Sequence, residues 1–393
     1  MAPDTPLFPV ERPAASELRA WLELLAEPGL GREGARQLLL RTKSVEAAVA
    51  ELPSPQDVTA LLSATQCWLD TPPDEPSPAG PPGSPPEERA VLTIGDPRYP
   101  ARLLESPDAP LLLYARGNLQ LLGRASIAIV GSRNATPQGL ENARAFAAEL
   151  SRSGIAIVSG LALGVDGAAH EGGLEGPGGT IAVVGTGLDR VYPRRHLPLA
   201  RRIVREGGLL LSEYPLGTPP LAAYFPQRNR IIAGLTLGTL VVEAAVRSGS
   251  LITARLALEA GREVFAIPGS IHSPHARGCH ALIRQGAKLV EQASDIVEEL
   301  PAESLHEDHE APCLAPKAAM THPHPPSDHN SPSPRPQDAL LDALADGAPR
   351  SLDELVARTG VQAAELQARL LDLELEGLVA RLPGQSFQRM HRA

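Results

Sequence analysis

Through the middle of the chain, short apolar runs alternate with stretches whose apolar positions recur every three or four residues. The runs at 127–130, 155–158, 181–184, 209–211, 239–242 and 263–267 predict strands, and the stretches between them predict helices. Alternation of this kind predicts an α/β fold with a parallel sheet, helices on both faces, and ligands beyond the carboxyl ends of the strands. Several predicted strands end as such a site requires, at Gly131-Ser132, Ser159-Gly160, Gly185-Thr186-Gly187 and Ser212-Glu213.

The pattern changes on either side. Residues 15–70 show helical periodicity, as at Leu18, Trp21, Leu22 and Leu25. Residues 338–390 read as three helices and a short hairpin, the order of a winged helix. Ser351 there is a candidate N-cap, with Glu354 three residues on and a stop at Gly360. The longer helix that follows carries Glu365, Asp372, Glu374 and Glu376 with only Arg369 basic, which favours protein contact over reading a DNA groove. Two proline-rich polar stretches too poor in apolar residues to build a core separate these pieces. The expected layout is a helical unit at 1–70, a linker at 71–89, the α/β domain at 90–300, a linker at 301–337 and the winged helix at 338–393.

Composition narrows the chemistry. The chain has 393 residues and a formal net charge of −10, which argues against coating duplex DNA through overall charge. A local basic site remains open, because residues 188–230 hold 8 arginines against 3 acidic residues. The bland reading of such a run is a solvated face. Cys67, Cys279 and Cys313 are scattered and odd in number, which fits a reducing compartment. The histidines at 306, 309, 322, 324 and 329 sit in a proline-rich segment without partner cysteines and read as solvated. The chain starts without a charged leader and apolar core, and no run reaches membrane-spanning length, so a cytoplasmic protein is expected.

The stretch IAIVGSRNATPQG at 127–139 carries a strand into a turn and then a helix, aiming backbone N–H groups and a positive helix end at one point. An anion suits that point, with the Arg133 fork and the side chains of Ser132 and Asn134 beside Gly131. A dinucleotide is a poor candidate, because the second glycine of G-x-G-x-x-G is missing and the second strand ends Val158-Ser159-Gly160 without an acid. The phosphate loop of nucleotide triphosphatases is absent too. SGLALGVDGAAH at 159–170 is a second glycine-rich turn, with Asp166 and His170 on one helical face; bracing a loop is the commoner role of such a pair. Further along come Arg194 and Arg195, then Arg228, Asn229 and Arg230, then Ser248, Gly249 and Ser250. Together they predict an arginine-lined crevice with no nucleophile–base pair.

These motifs, followed in order by LLSEYPLGTPP, FPQRNRIIAGL, VVEAAVRSGSLITARLALEAGREVFAIPG and LIRQGA, resemble the DNA-processing protein A (DprA, or Smf) family over about residues 92–300. The resemblance implies a Rossmann-like domain that binds single-stranded DNA, forms homodimers and loads RecA recombinase during natural transformation, without catalysis or cofactor. The flanking pieces look like the helical and winged-helix domains of some members, and PGLGREGARQLLL at 28–40 resembles a helix-hairpin-helix turn. Carried over by residue, the DNA pocket comprises Gly131 to Asn134, Ser159, Gly160, Arg194, Arg195, Arg228 to Arg230 and Ser248 to Ser250, with a dimer contact around 271–289. His280 stands where the family usually has asparagine, which puts the turn there in doubt. Candidates for base stacking are Tyr192, Tyr214, Tyr224 and Phe225. The main rival is a Rossmann-like nucleotide phosphoribohydrolase acting through Glu243, although its P-G-G-x-G-T-x-x-E motif is incomplete here.

Overall fold

The computed structural model describes residues 12–53, 56–72, 87–106 and 108–301, and scattered positions between 350 and 389. The chain divides into two compact units, Met1–Cys313 and Leu314–Ala393.

Four helices open the first unit: α1 (Ala15–Ala26), α2 (Gly31–Thr42), α3 (Val45–Ala50) and α4 (Thr59–Asp70). Then come β1 (Glu88–Thr93), α5 (Ala101–Leu104), β2 (Leu112–Gly117), β3 (Ser126–Val130), α6 (Pro137–Arg152), β4 (Ala156–Ser159), α7 (Val165–Gly173) and β5 (Thr180–Val183). The chain continues through α8 (Leu197–Arg205), β6 (Leu209–Ser212), α9 (Tyr224–Leu235), β7 (Gly238–Val241), α10 (Ser250–Glu259) and β8 (Glu263–Ala266). It closes with α11 (Arg277–Arg284), β9 (Lys288–Leu289) and α12 (Ala293–Val297).

All nine strands form one sheet in the order β1-β2-β6-β5-β4-β3-β7-β8-β9. From β6 to β9 every pairing is parallel, while β1–β2 and β2–β6 are antiparallel. The six strands expected from sequence are present within a residue or two. The antiparallel pair at one edge and β9 at the other are additional, and β1 begins at Glu88, inside the stretch expected to be linker. Because the chain moves from β3 towards β6 on one side and from β7 towards β9 on the other, the topological switch lies between β3 and β7.

Alternate residues serve opposite faces of the sheet. Ala128, Val130, Val158, Val183 and Val241 face α9, α10 and α11, within a cluster that includes Ile231, Ala254 and Cys279. Ile127, Ile129, Ile157 and Leu240 face α6, α7 and α12. Leu112 and Tyr114 of β2 share a third cluster with Leu18, Trp21, Leu22 and Leu24 of α1 and with Ile203 of α8. The N-terminal helices are therefore a cover for the face that the edge pair adds, and Trp68 meets Tyr114 edge-on at 6.2 Å. Leu25, expected on the buried stripe, is 39% exposed, and Leu24 takes its place.

One ionic cluster ties that cover to the sheet domain. The Asp108 carboxylate accepts from Arg32 of α2 at 3.1 and 2.9 Å and from Arg230 of α9 at 2.8 Å, and Arg230 also donates to Glu213. Arg36 donates to the Ala109 carbonyl at 2.6 Å. The Gly29 and Gly31 turn that resembles a helix-hairpin-helix element thus presents α2 to this cluster.

In the second unit, Arg350–Ser351, Val379–Leu382 and Ser386–Arg389 are β10, β11 and β12, an antiparallel sheet in the order β10-β12-β11. Ser351, expected as an N-cap, ends β10, and helical residues follow at Glu354, Leu355 and Arg358. Both linkers' interiors, the five clustered histidines, Cys313, Gly360, and the acidic positions 365, 372, 374 and 376 with Arg369 lie outside the described residues. No helix among the described residues is long and apolar enough to cross a membrane.

Replacing Asp108 by alanine leaves Arg230, whose side chain is only 8% exposed, with one carboxylate instead of two. The expected loss is about 1–3 kcal/mol in denaturant unfolding, discounted because Asp108 itself is half-exposed. Arg32→Ala should cost less, since Arg230 keeps both partners. Equal stability of Asp108→Ala and wild type contradicts the clamp.

Candidate nucleic-acid interface

The second glycine loop is held from below by its own helix. Asp166, at the start of α7, accepts from the backbone N–H of Gly160 and of Ala162, both at 3.2 Å. One turn later, His170 Nε2 accepts from Leu161 N–H at 3.2 Å, while Nδ1 lies 2.7 Å from Thr180 Oγ1. Because Nε2 is the acceptor, Nδ1 carries the proton and donates to Thr180, which donates onward to the Ile157 carbonyl. Three consecutive amides that could have cradled a phosphate are thus filled by the protein. Asp166 and His170 do brace a loop, as the sequence suggested, but each acts on the backbone directly.

Arg228 completes this clamp. It is 3% exposed and donates to the carbonyls of Gly160 at 2.7 Å and of Val183. A Cβ on Gly160 would stand 2.6 Å from Arg228 Nη2 and 2.7 Å from Asp166 Oδ2, so only glycine passes between them. Burial draws the Arg228 guanidinium down to about 10, opposed by Asp166. Burial pushes the Asp166 carboxyl up, and Arg228 pulls it back. Burial, helped by His196 and Arg228, takes His170 down to about 3, so the ring is neutral.

The first turn is also committed at its helix end. Thr136 caps α6 by accepting from Gly139 N–H at 3.0 Å. Glu243, just past β7, accepts from Thr136 N–H at 2.9 Å and from Thr136 Oγ1 at 2.5 Å. A carboxylate therefore occupies the positive end of α6, where the sequence reading placed an anion. The anion is the protein's own. Gly164, at φ +80°, packs its backbone against Ser132 and Arg133, where a Cβ would lie 2.3 Å from the Ser132 carbonyl oxygen. The two glycine turns are locked together by this contact.

The expected site residues consequently divide into two groups. Gly160, Arg228 and Arg230 are internal framework, and Ser159, fully buried, donates to the Ile129 carbonyl at 2.6 Å. Ser250 is buried, with its hydroxyl 2.7 Å from that of Ser248, beside exposed Gly249. Half-buried Asn229 accepts from Arg228 Nε at 3.2 Å. At the surface stand Arg133, Asn134, Arg194 and Arg195, with Gly131 and Ser132 half-buried behind them. The Arg133 guanidinium lies over the Phe225 ring at 5.8 Å, and Tyr192 packs on the same ring at 5.4 Å. Among the described residues, Arg133, Arg194 and Arg195 have no ion-pair partner. Of the stacking candidates, Tyr214 is buried and stacks on Tyr224 at 4.2 Å, whereas Tyr192 is 48% exposed. Asp108, which fixes Arg230, carried no signal in the sequence, and Glu213 was visible only as a strand end, because their partners are distant along the chain.

Fold and rim define a Rossmann-like α/β protein with self-filled glycine turns and an edge of arginines and flat rings. The model of the family "DNA recombination-mediator protein A" matches residues 90–301, and that of the DprA winged helix domain matches 323–385. Protein Smf of Escherichia coli (strain K12) is 41% identical over 332 residues, 84% of this chain and 82% of that one. DNA processing protein DprA of Streptococcus pneumoniae (strain ATCC BAA-255 / R6) is 50% identical over 208 residues, covering 53% of this chain and 73% of that one. The X-ray structure of DNA processing protein A from Streptococcus pneumoniae superposes with a TM-score of 0.60 at 37% identity, covering 72% of this chain and 98% of that chain. The chain belongs to the DNA recombination-mediator protein A (DprA/Smf) family.

The neutral state of His170 has a consequence for stability. Between its folded value near 3 and the unfolded value near 6.5, the unfolded chain binds one more proton than the folded chain. Its contribution therefore falls as pH drops through that window, by about 1.4 kcal/mol per pH unit. Glutamine can accept from Leu161 and donate to Thr180, so His170→Gln should lose stability less steeply between neutral and mildly acidic pH. Parallel pH profiles for the two proteins in denaturant titrations would contradict the assignment.

Proposed function

We propose that the chain binds single-stranded DNA at the rim formed by Arg133, Phe225, Tyr192, Arg194 and Arg195, and hands it to RecA recombinase without chemistry of its own. The observation that carries this reading is the guanidinium of Arg133 over the Phe225 ring, beside exposed arginines that have no ion-pair partner among the described residues. Permanent cations suit a phosphate backbone, and a flat ring suits any base, so a sequence-tolerant strand is the ligand such an edge serves best. Membership of the DNA recombination-mediator family supports delivery to a recombinase. The framework groups Gly160, Arg228 and Arg230 shape the rim from behind instead of touching the strand.

A homodimer through 271–289 accords with exposed apolar side chains at Ile271 and Leu289, 74% and 44% exposed. His280 there bonds the Gly269 carbonyl at 2.9 Å and so supports the turn in asparagine's place. The layout that goes with this reading has the α/β domain as binder, the helical unit as its cover, and the winged helix as a protein contact. The rival nucleotide-hydrolase reading needs Glu243 free to face a ribose, and both of its oxygens bond Thr136 instead. Purified protein incubated with AMP should therefore release no base.

Titration of a fluorescent single-stranded oligonucleotide, with the duplex as control, tests the proposal. Wild type should prefer the single strand and weaken steeply with salt. Phe225→Ala should cost about tenfold, within the range of one lost stacking contact. Arg133→Ala should lower the salt slope by about 0.7. Unchanged affinity in both variants would move the site elsewhere.

A further inference from the structure

The arginine-rich run continues past the rim. After Arg194 and Arg195 in a short 3-10 turn, the chain enters α8, whose inner side buries Ala200, Ile203 and Val204 against the sheet. Its outer side carries Arg201 and Arg205, both exposed and four residues apart, hence on one face. Neither has an ion-pair partner among the described residues. Arg202 is satisfied separately, donating to Glu206 at 3.0 Å, and Arg190 lies 3.6 Å from Asp189. The acids near this run are thus engaged by other arginines, and Arg201 and Arg205 are left facing solvent.

Topology gives the ridge a direction. The carboxyl end of β5 leads to Arg194 at the rim, and α8 must return to the opposite edge before β6 starts, because β5 and β6 are parallel. From Arg194 to Arg205 the rise is about 16 Å at 1.5 Å per residue, room for several phosphates. In a chain of net charge −10, an unpaired basic stripe continuous with a rim of the same sign selects for a polyanion.

We infer that Arg201 and Arg205 form a second phosphate track, along which single-stranded DNA leaving the rim runs down the outer face of α8. This rests on the single-strand reading of the rim and extends it: the rim holds bases and phosphates, and the track holds phosphates only. Affinity then depends on length, since a short strand fills the rim alone and a longer one reaches the track.

The experiment compares oligonucleotides of about 6 and about 20 nucleotides, bound to full-length wild type and to an R201A/R205A variant across a salt series. The variant should bind the short strand within about twofold of wild type, lose about fivefold or more on the long strand at low salt, and lower its salt slope by about 1.4. R201K/R205K should restore long-strand binding, and an unchanged melting temperature shows that the substitutions leave the fold intact. If the variant matches wild type on the long strand, the track is overturned while the rim stands, and the ridge is left for an acidic protein surface. Equal loss on short and long strands also overturns it, by placing both arginines in the rim. Failure of wild type to bind either strand would overturn the rim reading itself.

Discussion

The rest of the site depends on how α7 grips the backbone of residues 160–162. Asp166 and His170, one helical turn apart, take up three successive amides, and Arg228 takes up the carbonyl of Gly160. Each group is buried, and each would be costly to bury alone. Together they satisfy a loop that would otherwise leave polar backbone unpaired inside the protein, and the charges of Asp166 and Arg228 offset each other. The grip also fixes Gly164 against the first turn, so that Gly131 to Asn134 cannot settle independently of α7.

A crevice built this way does not work as Rossmann-like folds commonly do. The positive end of α6 is occupied by Glu243, and the second turn by Asp166 and His170, so neither end of the usual phosphate cradle is open. The cations and rings left accessible lie further out, in exposed arginines and in Phe225 on α9, and the proposed binding falls there. Because α9 also carries Arg228 and Arg230, two residues apart, its position is set at the first by the α7 clamp and at the second by the cluster of Asp108, Glu213 and Arg32. The N-terminal helices, although distant in sequence, therefore bear on the placement of Phe225.

Much of this was legible in the sequence, and the gaps have physical causes. The six core strands were readable because strands buried on both faces are continuous apolar runs. β1 and β2 escaped, since an edge pair covered by helices from elsewhere has no local signature, and β1 starts within a polar stretch. The candidate site residues could be named as a group from their motifs, but sequence could not tell which arginines turn inward. Arg228 and Arg230 differ from Arg194 and Arg195 only in having partners at positions 108, 160, 166, 183 and 213, and such partners appear only on folding. The same holds for Glu243, a strand-end carboxylate whose target, Thr136, is 107 residues away.

Amide hydrogen exchange resolved at Gly160, Leu161 and Ala162, with and without a single-stranded oligonucleotide, tests the central claim most directly. These amides should exchange slowly in the free protein and keep that rate when the strand binds, because Asp166 and His170 already hold them. Fast exchange in the free protein that slows on binding would show the loop to be the phosphate cradle after all, and would contradict the account.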